Sequence, residues 1–119
     1  MKKYPFYSIR RLINAFGYSI DGLVATFKTE AAFKLELLAF IILVPLAISL
    51  DNTAIEKILL ISSLVLVLIT ELINSAIEAA IDRISEDKHP LSKKAKDIGS
   101  SIVLVALFNA IFVWLMILV

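Results

Sequence analysis

Three long apolar stretches dominate the pattern of hydrophobic and polar positions along the chain. The clearest runs from Ile98 to Val119, 22 residues without one charge. As a helix it is about 33 Å long, enough for a bilayer core of about 30 Å. A second apolar run, Ile58 to Ile69, extends on both sides, so that Ala54 to Ile81 reads as one helix whose last turns carry Glu71, Asn74 and Glu78. The third run, Leu37 to Leu50, reaches back through Ala31, Ala32 and Phe33 across Lys34 and Glu36 and contains Pro45. Pro45 removes a backbone donor and is expected to kink its helix, a defect membrane helices tolerate when neighbours re-satisfy the freed carbonyl. Ahead of these stretches, Ile9, Leu12, Ile13, Phe16, Ile20, Leu23, Val24 and Phe27 fall at offsets 0, 3, 4, 7, 11, 14, 15 and 18, a helical stripe. Such a helix lies in the plane of the membrane interface with its apolar face down. The pattern predicts an all-α integral membrane fold in a single domain, residues 1–119, with an amphipathic helix over about 7–28 and spans over about 31–50, 54–81 and 98–118.

Composition agrees: 60% of the residues are hydrophobic, more than the roughly half found in soluble domains. The 12 Lys and Arg nearly balance the 11 Asp and Glu, giving a net charge of +1 and no reason to expect nucleic acid as a partner. Without cysteine there is no disulfide framework and no thiolate chemistry. The segment MKKYPFYSIRR has no apolar run and is not read as a cleavable signal peptide. Lys2, Lys3, Arg10, Arg11 and Lys28 precede the first span, and Arg83, Lys88, Lys93, Lys94 and Lys96 lie between the second and third, whereas the Asp51-Asn52-Thr53 turn has only Lys57 nearby. The positive-inside rule makes the N-terminus and the 82–97 loop cytoplasmic.

The candidate chemistry lies on the second span. Glu71, Asn74, Glu78 and Asp82, at offsets 0, 3, 7 and 11, share about 80° of helix arc, and Leu72, Ile73 and Ile77 are expected to face lipid. An ionised carboxylate near hydrocarbon costs about 2.5 to 3.5 kcal/mol, so the stripe needs a partner or a task. Pairing with Lys34, Lys96 or Arg83 is one solution. Holding a hard cation such as Mg²⁺ together with phosphate oxygens is another, and it accounts better for so many oxygen acceptors. Glu30 and Glu36 flank the first span on the same side, Glu30 serving equally well as a dipole partner at a helix N-terminus. Lys96-Asp97 stands just before the third span, where a cation and a helix N-terminus together favour phosphate; as an isolated pair it reads as an interfacial marker. His89 reads as a solvated loop residue, Asn109 as a hydrogen-bonding group between helices and Trp114 as an interfacial anchor. With glycine only at 17, 22 and 99 there is no phosphate-cradling loop of the soluble kinases. Residue types alone leave open a phosphoryl-transfer enzyme and a small ion-coupled carrier. The external halves of the spans carry no charged path for an ion.

The run Glu71-Leu-Ile-Asn74-Ser-Ala-Ile-Glu78-Ala-Ala-Ile-Asp82-Arg83 resembles the signature E-x-x-N-[ST]-A-[IL]-E-x-x-x-D of the prokaryotic diacylglycerol kinases. Ala95-Lys96-Asp97-Ile98-Gly99-Ser100, Gly17-Tyr18-Ser19 and Glu30-Ala-Ala-Phe33-Lys34-Leu-Glu36 resemble the same family, and the likeness covers about residues 10 to 119. The resemblance implies a homotrimer in the bacterial inner membrane with active sites shared between subunits. It implies transfer of the γ-phosphate of Mg-ATP to the primary hydroxyl of diacylglycerol, giving phosphatidic acid. Carried over, Glu71 is the general base and Asn74 steadies it; Glu30 and Glu78 hold the divalent ions. Lys96, Asp97, Arg11 and Tyr18 contact the nucleotide, with Asp82, Asp87, Lys88 and His89 near its adenosine. The lipid side comprises Ala15, Phe16, Gly17, Tyr18, Ser19 and Ile20, then Val24, Ala25, Thr26 and Phe27, then Ala32, Phe33, Lys34, Leu35 and Glu36, with Arg11, Glu71 and Ser100 also meeting substrate. Two departures stand out. Ile20-Asp21-Gly22 replaces the Trp-Lys-Gly of many relatives, and Lys88 stands where an aromatic occurs. The Glu30-Ala-Ala-Phe33 segment is closer to relatives acting on diacylglycerol than to those phosphorylating undecaprenol, the alternative acceptor, whose segment runs Glu-Arg-Asn.

Overall fold

In the computed structural model, which describes residues 8–84 and 86–119, the apolar stripe at the start of the chain becomes α1, Ile9–Thr29. None of its residues is buried; Ile9, Leu12, Ile13 and Phe16 are among its exposed large apolar side chains. Tyr7, expected to begin this helix, and Lys2 and Lys3 lie outside the described residues. Lys28 in the last turn suits the negative end of the helix dipole. A single extended residue, Glu30, separates α1 from α2, Ala31–Ser49.

Helix α2 runs on through Pro45 to Ser49. Its C-terminal carbonyls are met by a side chain from the next helix, Lys57 Nζ donating to Ile48 O at 2.7 Å, where a cation also complements the dipole. The tight turn that follows ends in a capping box. The Glu56 N–H donates to Thr53 Oγ1 at 3.2 Å and the Thr53 N–H donates to Glu56 Oε1 at 3.0 Å, satisfying two otherwise orphaned donors at the start of α3.

Helices α3, Ala54–Ile84, and α4, Pro90–Leu118, form the central pair. The charged loop gives α4 its start: Pro90 occupies the first turn and His89 Nδ1 accepts from the Leu91 N–H at 3.1 Å. His89 is therefore a helix cap and not merely a solvated side chain. The helix precedes the charge-free run at Ile98 by two turns, because a helix needs only caps and propensity while a span needs hydrocarbon. Contacts of Gly99 with Asn74, Val67 with Ala106 and Ala110, and Trp114 with Leu60 make the pair antiparallel. Small residues at 99, 106 and 110 let the backbones approach, as membrane helix contacts require where no water drives association. Trp114 Nε1 donates to Leu60 O at 3.1 Å, so this side chain also ties α4 to α3. Among the described residues there is no strand, and three helices, α2, α3 and α4, are long and apolar enough to cross a membrane. Most of their large apolar side chains are exposed on the single chain, as lipid-facing surfaces are.

Candidate functional site

The polar stripe of α3 begins in the interior and ends in the open. Glu71 is only 5% exposed, and its carboxyl comes within hydrogen-bonding reach of that of Glu36 on α2. The charges of Glu30 and Glu78 are also felt there, so four acidic side chains from two helices and the Glu30 junction surround one region. Glu36 Oε2 is buried without a partner.

One turn on, Asn74 Nδ2 donates to Glu78 Oε1 at 3.1 Å. The other face of the amide meets α4: a Cβ on Gly99 would sit 3.4 Å from Asn74 Cγ and nearer still to Oδ1. Only glycine leaves room for this amide. Asn74 Oδ1 is buried and unpartnered, as is Ser75 Oγ. Ile77 also packs toward Gly99 and Leu72 lines the cleft against α1; of the three side chains expected to face lipid, only Ile73 is an exposed large apolar residue.

Two clefts open from the stripe. Between α1 and α3 lies one of about 810 Å³, walled by Ser19, Ala25, Thr26 and Thr29 on one side, by Ser75, Glu78 and Asp82 on the other, and by Glu30 at the end of α1. Glu30 occupies the N-cap position of α2 yet makes no side-chain cap bond, so its carboxylate is free to serve this cleft. The second cleft, of about 700 Å³, lies at the α3–α4 loop and is lined by Asp82, Asp87, Lys88, His89, Lys96 and Asp97, with Glu86 and Lys93. Asp82 is a wall of both. Two ion pairs order the second cleft: Lys96 Nζ to Asp82 Oδ1 at 2.7 Å, which bridges α4 to α3, and Lys93 Nζ to Asp97 Oδ2 at 2.6 Å along α4.

The fold thus gathers all six candidate residues of the loop side in one cleft and Glu30 with Glu78 in the other. Arg11 and Tyr18 line neither. Of the lipid-side candidates, Ser19, Ala25 and Thr26 line the α1–α3 cleft, whereas Ala15, Phe16, Gly17, Tyr18, Ile20, Val24 and Phe27 form an exposed band on α1. Ala32, Lys34, Leu35 and Ser100 are exposed, Lys34 Nζ lying 5.6 Å from the Phe27 ring centroid. Phe33 is 3% exposed and packs inside. Sequence reasoning passed over Lys93 and Ser75. The four-residue spacing of Lys93 and Asp97 was a readable signal for the first; the second had none beyond its place in the stripe.

A buried carboxylate, an amide clamped between helices and a lysine-bearing cleft thus lie along α3 and its neighbours, in a chain whose sequence is similar to known proteins. The profile of the prokaryotic diacylglycerol kinases matches residues 17–118. A diacylglycerol kinase of Escherichia coli is 49% identical over 91% of this chain and 88% of its own length. One of Pseudomonas aeruginosa is 47% identical over 92% and 89%, and one of Haemophilus influenzae is 46% identical over 93% and 94%. With matches of this extent from both the profile and the individual relatives, the chain belongs to the prokaryotic diacylglycerol kinase family.

Proposed function

We propose that the chain is an ATP- and Mg²⁺-dependent diacylglycerol kinase, transferring the γ-phosphate of ATP to the primary hydroxyl of diacylglycerol to give phosphatidic acid and ADP. One observation carries this reading: a single helix leads from a buried carboxylate, Glu71, through Asn74 and Glu78 to Asp82, the shared wall of two clefts. The name carried by the three relatives, diacylglycerol kinase, supports the choice of acceptor.

Phosphoryl transfer asks for positioning, charge neutralisation and a base, with no covalent intermediate. Glu71 takes the proton of the lipid hydroxyl as its oxygen attacks the γ-phosphorus, and the bond to the β,γ-bridging oxygen breaks to release ADP. Asn74 steadies the acidic stripe around Glu71, its amide donating to Glu78. Lys96, with Arg11 and Tyr18, holds the phosphates; Asp82, Asp87, Lys88, His89 and Asp97 surround the rest of the nucleotide. The lipid enters sideways along the exposed band of α1 and the wall of Ser19, Ala25 and Thr26.

Glu30 and Glu78 suit a hard divalent cation, being carboxylates that face one cleft. Among the described residues no three acidic or histidine side chains form a ready-made metal cage; Mg²⁺ is usually held by one or two carboxylates together with substrate phosphates. When bound, the ion supplies positive charge for the β- and γ-phosphate oxygens.

The setting is the bacterial inner membrane, with the N-terminus and the Asp82 end cytoplasmic. Helix α1 is amphipathic and lies at the interface, a reading supported by the exposure of its apolar residues. The working unit is a homotrimer with shared sites; Asn109, exposed midway along an apolar helix, is supporting ground, since a polar side chain in hydrocarbon is stabilised by a neighbouring helix.

The test is transfer of labelled phosphate from ATP to diacylglycerol in mixed micelles with Mg²⁺, beside Glu71→Gln and Glu78→Gln. Product from wild type and none from either variant is expected. Turnover of undecaprenol alone would change the acceptor. Silence with both lipids, together with ion-coupled transport, would replace the kinase with a carrier.

A further inference from the structure

The hydroxyls of the α1–α3 cleft are not equivalent. On α1, Ser19, Thr26 and Thr29 each donate to the carbonyl four residues earlier, at 2.9, 2.8 and 2.9 Å. Their protons are committed, so they offer the cleft lone pairs only. Glu30, Glu78 and Asp82 on the same walls are likewise acceptors when ionised. Ser75, on the α3 wall, differs: its Oγ is buried and makes no hydrogen bond. Among the described polar side chains lining this cleft, it is the one hydroxyl with an uncommitted proton. A buried, unpaired hydroxyl is unfavourable unless a ligand completes it.

Register says which ligand atom that is. Ser75 follows Glu71 by four residues and precedes Glu78 by three, one turn from each along the same face. In the function proposed above, on which this inference rests, the group in flight between Glu71 and Glu78 is the phosphoryl group. Its non-bridging oxygens accept hydrogen bonds and cannot donate them, whereas the lipid hydroxyl can donate to any of the acceptors already present. We infer that the Ser75 hydroxyl donates a hydrogen bond to a non-bridging oxygen of the transferred phosphoryl group, making Ser75 a further catalytic residue. Ser75 moves no proton in the reaction; it stabilises the charge that the equatorial oxygens carry in the transition state.

The experiment compares wild type, Ser75→Ala and Ser75→Thr in mixed micelles, measuring kcat and the KM of ATP and of diacylglycerol, with thermal unfolding recorded for each. Ser75→Ala is expected to lower kcat about tenfold to a hundredfold, with both KM values within about twofold of wild type, and Ser75→Thr to recover most of the loss at similar unfolding temperature. An unchanged kcat in Ser75→Ala beside an active wild type would overturn the inference and leave the kinase reading standing. A raised KM for diacylglycerol at unchanged kcat would overturn it as well, moving the hydroxyl to the lipid. An inactive wild type would remove the kinase reading and this inference together.

Discussion

Gly99 of α4 lies directly against the side-chain amide of Asn74 on α3, with no room for a Cβ between them. The contact seats the amide whose Nδ2 donates to Glu78, so a backbone approach far along the chain sets the geometry of the acidic stripe.

Gly99→Ala must therefore push the helices apart or turn the amide. Overpacking of this kind costs about 1–3 kcal/mol. Denaturation in detergent should show a loss of that size, with phosphate transfer falling more steeply than stability because Asn74 is displaced. A variant with unaltered stability and turnover would show that the contact is slack.

Lys96 and Asp82 join the helices at the opposite end of the stripe, but both side chains are substantially exposed, at 43% and 61%. Exposed pairs contribute little to stability. The exchange Lys96→Asp with Asp82→Lys should leave stability nearly unchanged while raising the KM of ATP by at least about tenfold, since the cation no longer stands on α4, where it is proposed to face the phosphates. Recovery of ATP affinity by the exchanged pair would reduce Lys96 to a structural strut.

Thr53 and Glu56 cap α3 reciprocally. Thr53→Ala should cost about 0.5–2 kcal/mol, read as a lower denaturation midpoint, and leave the KM of both substrates untouched because the cap is at the far end of α3 from Glu78.

Trp114 is the chain's single tryptophan, and its indole N–H is bonded to Leu60 O. Its emission should report separation of α3 and α4 directly. Trp114→Phe, which keeps an aromatic side chain but deletes the donor and part of the indole's bulk, should destabilise by at least about 0.5–1.5 kcal/mol; a neutral result would mean that neither the bond nor the extra bulk contributes.

Much of this was legible from residue order because lipid imposes simple rules. A charge-free run such as Ile98 to Val119 has one physical use, and four polar side chains at helical spacing must share a face. The Thr53-x-x-Glu56 box and the His89-Pro90 start could also have been read by rule. The neighbour that a face meets was not legible. Ile77 was expected to look into lipid and instead packs toward Gly99, because periodicity orients residues around one axis and is silent on where the next axis lies. For the same reason Lys96 and Asp82, fourteen residues apart, could not be paired in advance, and the uncommitted proton of Ser75 became visible only once every nearby hydroxyl had been assigned a partner.

The unbroken course of α3 through the stripe has one more consequence. Glu71 and Asp82 stand eleven residues apart in the same helix, so about 16 Å of axis separates them. With the roles proposed for Glu71 and Asp82, the helix acts as a ruler, the acceptor's hydroxyl at one mark and the far end of the donor at the other. A donor that reaches both must lie lengthwise along it, and inserting one residue between the marks would lift one end by about 1.5 Å and swing it by about 100°. Under the proposed function, depth in the bilayer and alignment of the two substrates become a single adjustable length.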